Sequence, residues 1–183
     1  MSTTKKKIVK LTASEIKRAA AVGMGRRSAR SDSNFGYFQH PDNEKDYNSK
    51  LSEYINDKKQ RSHFLGVIGE MAYAKFVGGK IDERILYEGD DGMGDVGRAE
   101  VKASTWRGEN IELKIPKKEY HREAGPEKYV LVRVSIDTPD VVELIGEISA
   151  ERFASEKEEK QYGRNYPVNY IIGADKLDEV VDA

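Results

Sequence analysis

Acid and lysine are concentrated in one short stretch of the chain, Gly94-Asp95-Val96-Gly97-Arg98-Ala99-Glu100-Val101-Lys102. Alternation along a β-strand sends Glu100 and Lys102 to one face and Val101 to the other, toward a core. Asp95 stands five residues before Glu100, an odd separation that an uninterrupted strand would place on the opposite face. Gly97 removes the conflict if it supports a turn or bulge, because glycine takes backbone angles closed to other residues and one inserted residue reverses the alternation. With Asp95 beside Glu100, two hard oxygen ligands leave room for the waters that Mg²⁺ retains. A neighbouring ammonium would orient an attacking water and offset charge developing on a phosphate. The pattern D-x4-E-x-K thus suits metal-assisted attack on a phosphodiester, although alone it is short enough to recur by chance as an acidic turn before an ordinary strand.

A second carboxylate-bearing element lies upstream. Residues 62–76 form a helix-length apolar segment with one acid, Glu70, and Gly78-Gly79 at its end. Leu65, Ile68, Ala72 and Phe76 recur at spacings of three and four and mark a buried stripe, with Glu70 near its edge. A glycine inside a helix costs about 1 kcal/mol relative to alanine, so Gly66 and Gly69 are expected to permit close helix packing. A carboxylate held beside a sheet results. Asp90 and Asp91 are rival ligands within Glu88-Gly89-Asp90-Asp91-Gly92-Met93, a run that equally makes a solvated turn.

Over about residues 62–149, the ordered set Glu70, Asp95, Glu100 and Lys102 resembles the PD-(D/E)XK nuclease superfamily, and D-V-G-x-x-E-V-K looks like small phage and bacterial nuclease-like proteins within it. Gly94 stands where that motif carries proline. The resemblance implies a restriction-endonuclease-like α/β fold, a central mixed sheet flanked by helices. It also implies Mg²⁺, with Mn²⁺ substituting, ligated by Asp95, Glu100 and the main-chain carbonyl of Val101. Glu70 would hold a second metal or a metal-bound water, Lys102 would assist the attacking water, and the reaction would be hydrolysis of DNA. A catalytically inactive nucleic-acid-binding protein on the same fold is the alternative. A structural or partner-binding protein with an incidental acidic turn is a third reading.

Composition bounds these readings. The 183 residues suit one elaborated domain, with 38% hydrophobic and 34% charged residues leaving a large polar surface. The absence of cysteine excludes disulfides, thiol catalysis and cysteine-ligated zinc. His40, His63 and His121 are too scattered for a zinc site, and His63, on the helical face of Glu70, reads as a packing or surface residue. No apolar run reaches membrane-spanning length and Met1 to Lys7 lacks a signal-peptide core, so a cytoplasmic protein without membrane partners is expected. A homodimer stays open.

Charge is uneven along the chain. Residues 1–31 carry nine cations (Lys5, Lys6, Lys7, Lys10, Lys17, Arg18, Arg26, Arg27, Arg30) and one acid, Glu15, hence +8; the net charge of −1 leaves −9 for the remainder. A basic arm over residues 1–40 that neutralises nucleic-acid phosphates, joined to a nuclease-like domain over residues 41–183, is the expected organisation; a solubilising tail is the plainer use of such a charge run. Within the arm, Thr12-Ala13-Ser14-Glu15 reads as a capping box for a helix through Ala21, ended by Gly23 and Gly25 and followed by a mobile basic loop over residues 26–31. Phe35, Tyr37 and Phe38 read as an anchor for the arm. Further expected elements are a helix over about 41–59, strands over 81–87, 98–105, 111–115, 129–135 and 141–148, a helix over 149–161 and another over 174–181.

Overall fold

The computed structural model describes residues 7–30, 61–83, 94–120 and 125–182. They form a mixed α/β arrangement with two open sheets, and none of their helices is long and apolar enough to cross a membrane. The expected helix over 41–59, the Phe35, Tyr37 and Phe38 cluster, and most of the expected strand over 81–87 lie outside the described residues; Ile81 makes an isolated bridge to Val96.

Strand β4 (Lys128–Val134), K-Y-V-L-V-R-V, is buried on both faces along most of its length, the placement that a run of β-branched residues favours in a central strand. It pairs in parallel with β2 (Ala99–Ser104) and antiparallel with β5 (Val141–Ser149), which pairs with β1 (Lys7–Lys10). Among the described residues the order is β1-β5-β4-β2, so β2 lies at an edge. Leu131 pairs with Gly146 but Val132 with Leu144, leaving Ile145 as an extra residue. That bulge reverses the alternation of β5. Val142 and Leu144 therefore enter one core while Ile148 enters another.

The first core lies under two helices. α2 (Arg61–Val77) is buried from Phe64 to Ala74 apart from Gly66, far more than the single expected stripe, because the sheet covers one side and α1 (Ala13–Arg30) the other. Fully burying side chains such as Phe64, Val67 and Ile68 contributes about 1.5–3 kcal/mol each. Gly69 makes the close approach possible: a Cβ there would stand 2.7 Å from Val132 Cγ2 and 3.3 Å from Ala103 Cβ. Gly66 does not share that role, since its Cβ would meet only Glu70 Oε1 at 4.0 Å. The helix ends at Gly78, φ +68°, with the Gly79 N–H donating to the Ala74 carbonyl at 2.8 Å.

The Thr12 capping box forms as expected: the Thr12 N–H donates to Glu15 Oε2 at 2.6 Å and the Glu15 N–H to Thr12 Oγ1 at 3.2 Å. The end of α1 is a correction. The helix passes Gly23 and Gly25 to Arg30, so Arg26, Arg27 and Arg30 are helical rather than in a loop. A Cβ on Gly23 would lie 3.1 Å from Phe64 N and 3.2 Å from its Cα, so this glycine serves a helix–helix contact instead of a helix end. Val9, Leu11, Ile16, Ala19 and Ala20 are buried, so residues 7–30 contribute a strand and a helix to the fold.

The opposite face of the sheet is covered differently from the expected flanking helices. A three-stranded sheet of β3 (Glu112–Pro116), β7 (Val168–Gly173) and β6 (Glu158–Gln161) packs there with α4 (Ala150–Glu156). Leu113, Ile115 and Ile172 meet Tyr129, Leu131, Ile148 and Phe153. α4 starts at Ser149, whose hydroxyl accepts from the Arg152 N–H, but Lys157 is extended and residues 158–161 form β6 in place of the expected helical continuation. All four β6 side chains are exposed; pairing with the backbone of β7, not an apolar face, holds the strand. The helix expected over 174–181 is one 3₁₀ turn, Ala174–Lys176, after which Asp178 bridges to Glu147.

Candidate active site

Gly97, φ +60°, opens a two-residue turn in which Val96 and Ala99 exchange backbone hydrogen bonds of 3.1 and 3.0 Å. A positive φ at the first central position is the pattern of a type II′ hairpin. The Ala99 carbonyl also accepts from the Asp95 N–H at 2.9 Å, so two residues oppose one, as in a bulge. The reversal brings Asp95 back alongside β2, where Asp95 Oδ2 accepts from the Val101 N–H at 2.8 Å. Gly94 has φ +90°, and a Cβ there would meet Ala99 N and O at 3.0 Å. Proline, fixed near φ −65°, does not fit this conformation, and a β-carbon of any kind would crowd Ala99, so the backbone here calls for glycine.

On β2, Val101 faces the helical core while Glu100 and Lys102, opposite Tyr129 and Leu131, take the other face. Lys102 Nζ lies 2.7 Å from Glu100 Oε1 and 3.6 Å from Glu119 Oε2 on α3 (Lys117–Tyr120). Glu70 comes from α2 and is only 4% exposed. Burial first, then the charges of Glu70 and Glu100, push the Asp95 carboxyl well above its ordinary value, against the opposing effects of Lys102 and the Val101 N–H. Burial works against the Lys102 ammonium, yet Glu100, Glu119 and Asp95 outweigh it and hold its pKa above the usual lysine value. Tyr129 is pushed up to about 12 by burial, then by Tyr120 and Glu100. Asp95 at the strand edge is therefore influenced both by Glu70 from the helical side and by Glu100 and Lys102 from the other face of β2.

Among the described residues, no three His, Cys, Asp or Glu side chains form a ready-made metal cage. The donor chemistry nevertheless fits a hard cation: mutually repelling carboxylates crowd a partly buried space, and Mg²⁺ needs only one or two of them because it keeps several waters. The Val101 N–H leaves β2 toward Asp95, and a strand residue's N–H and C=O leave by the same edge, so the Val101 carbonyl is directed to that side also. Glu119 is the acidic neighbour that sequence reasoning missed, because its approach depends on how α3 meets β2.

Other candidates fall elsewhere. Asp90, Asp91, Lys5 and Lys6 lie outside the described residues. Lys7 Nζ donates to the Val180 carbonyl at 2.5 Å and lies 3.6 Å from Glu179 Oε1, and Arg18 pairs with Glu83, so these two cations are engaged within the fold. Lys10 and Lys17 are exposed. An open cleft of about 510 Å³, lined by Tyr73, Arg98, Glu127, Lys128 and Glu147 among others, includes none of the four motif residues. It is walled by the ion pairs Arg98–Glu127 at 2.9 Å and Lys128–Glu147 at 2.9 Å and has no matching chemistry. The chain matches no protein-family model, no curated protein and no solved structure.

Proposed function

We propose that the protein is a metal-dependent nuclease of PD-(D/E)XK type that hydrolyses DNA phosphodiester bonds. The observation that carries this reading is the position of Asp95, which the hairpin ties to β2 through the Val101 N–H and which feels Glu70 from the helix as well as the paired Glu100 and Lys102 from the strand. Asp95, Glu100 and the Val101 carbonyl would hold Mg²⁺, with Mn²⁺ able to replace it, and Glu70 would steady a metal-bound water from the helical side. The bound cation supplies Lewis acidity at a phosphoryl oxygen and a more acidic water.

Lys102 remains an ammonium at neutral pH, since neighbouring carboxylates raise its pKa. It has no lone pair with which to accept a proton. Its role is donation, orienting the attacking water and offsetting negative charge that grows on the phosphate oxygens. Glu100 and Glu119 restrict where that donor can point.

Incubating the protein with labelled single-stranded, duplex and branched DNA under Mg²⁺, Mn²⁺ or EDTA tests the reading. Metal-dependent cleavage that disappears in Asp95→Ala and Glu100→Ala is expected. A second reading, a nucleic-acid-binding protein without turnover, is favoured by one observation: Asp95 and Glu100 each have an internal partner, the Val101 N–H and the Lys102 ammonium. Binding without cleavage under every metal condition would select it.

A further inference from the structure

Trp106 is the single tryptophan of the chain and is 59% exposed. Leaving an indole in water forgoes a large apolar burial. The side chain is nevertheless held. Its Nε1, Cε2 and Cζ2 edge rests on Gly108, where a Cβ would stand 2.6 Å from Nε1 and 3.0 Å from Cε2. The Trp106 N–H donates to Ser104 Oγ at 3.2 Å, fixing the turn that follows β2. An exposed aromatic positioned by a glycine and a backbone hydrogen bond is a prepared contact surface.

Its location gives it a candidate ligand. Trp106 lies just past the end of the strand that bears Glu100 and Lys102, no more than about 14 Å of chain from Lys102. The adjacent Arg107 pairs with Asp137 at 2.5 Å, with both side chains largely in solvent. An exposed pair of this kind is weak and screened by salt, so the guanidinium can transfer to a phosphate. We propose that Trp106 is a stacking platform for an unpaired nucleobase, with Arg107 contacting a neighbouring phosphate, and that it selects single-stranded or frayed substrate. The inference rests on the nucleic-acid reading above. Every base has a π-face, so the contact would be tolerant of sequence.

The lone tryptophan makes the test direct. With Ca²⁺ replacing Mg²⁺, an unlabelled thymidine oligonucleotide should quench Trp106 fluorescence saturably, whereas a fully paired blunt duplex of equal length should not. Anisotropy of a labelled thymidine oligonucleotide should show Trp106→Ala weakening binding on the order of 5- to 100-fold and Trp106→Phe retaining most of it. Thermal melts of both variants should match the parent, given the exposure of the side chain. Binding seen by anisotropy with unchanged fluorescence and full affinity in Trp106→Ala would overturn the stacking site while leaving the nucleic-acid reading standing. No binding of either oligonucleotide would overturn both.

Discussion

The Asp95 carboxylate accepts a hydrogen bond from the Val101 backbone N–H at 2.8 Å, tying the hairpin to the edge strand it precedes. Two other carboxylates, Glu70 and Glu100, also act on Asp95, and with burial they outweigh that bond. The folded state thus holds a proton on Asp95 more tightly than the unfolded chain, where aspartate titrates near about 3.9. Stability from this group is fully present below that value and is lost as pH rises through the elevated one. Asp95→Asn keeps the hydrogen-bond acceptor and removes the charge, so it should raise the melting temperature at neutral pH but not at pH 3. A lower melting temperature at neutral pH would contradict the crowding of charge.

Catalytic substitutions should separate by role. Lys102→Ala should lower cleavage roughly 10²- to 10³-fold, the effect of losing one fixed donor to the transition state, and Asp95→Ala or Glu100→Ala at least as much. Glu70→Gln should cost roughly 10- to 100-fold, in the range of an outer contact to a metal site. Parent-like turnover by purified Asp95→Ala would place the activity elsewhere.

Glu119 should tune Lys102. Its carboxylate is among the charges that hold the Lys102 pKa up against burial, so Glu119→Gln should lower that pKa and move the alkaline limb of the cleavage profile to lower pH. NMR titration of isotopically labelled lysine reads the same shift without catalysis. An unchanged Lys102 titration would remove Glu119 from the site.

Two glycines support the site sterically. Gly69→Ala forces a Cβ against Val132 and should destabilise by about 1–3 kcal/mol, as overpacking does, which lowers the melting temperature by roughly 2–12 °C in a chain of this size. Gly94→Pro should disrupt the hairpin because φ at this position is +90°, far from the roughly −65° at which proline is fixed. Calorimetry on both variants checks these losses of stability, and a neutral Gly94→Pro would contradict the hairpin geometry.

What was legible in the sequence is what local rules govern. The Thr12 box, the Gly97 turn and the shared face of Glu100 and Lys102 follow from capping, turn chemistry and two-residue alternation. The approach of Glu119 to Lys102, the packing of Gly23 on Phe64, and the β6 strand each depend on a partner remote in sequence. Gly23 shows the difference: the residue that best signals a helix end also permits a close helix contact, and only the neighbouring helix decides between them.

The same packing changes how the basic segment must be tested. Deleting residues 1–31 would remove β1 and α1 with the buried Val9, Leu11, Ile16, Ala19 and Ala20, so lost binding would report unfolding rather than lost phosphate contacts. Lys7→Ala is also ambiguous, because Lys7 bonds to Val180 and lies 4.7 Å from the Phe76 ring centroid. Lys10 and Lys17 are exposed and avoid this difficulty. Each that contacts a phosphate contributes close to 0.9 to the slope of log affinity against log salt on duplex DNA. Lys10→Ala combined with Lys17→Ala should therefore reduce the slope by about 1.8 if both make contact. The chemical step at saturating substrate should hardly change, since neither residue is assigned to the carboxylate cluster. An unaltered slope would leave these two lysines as surface charge and shift the search for phosphate contacts to the Trp106 and Arg107 side of the molecule.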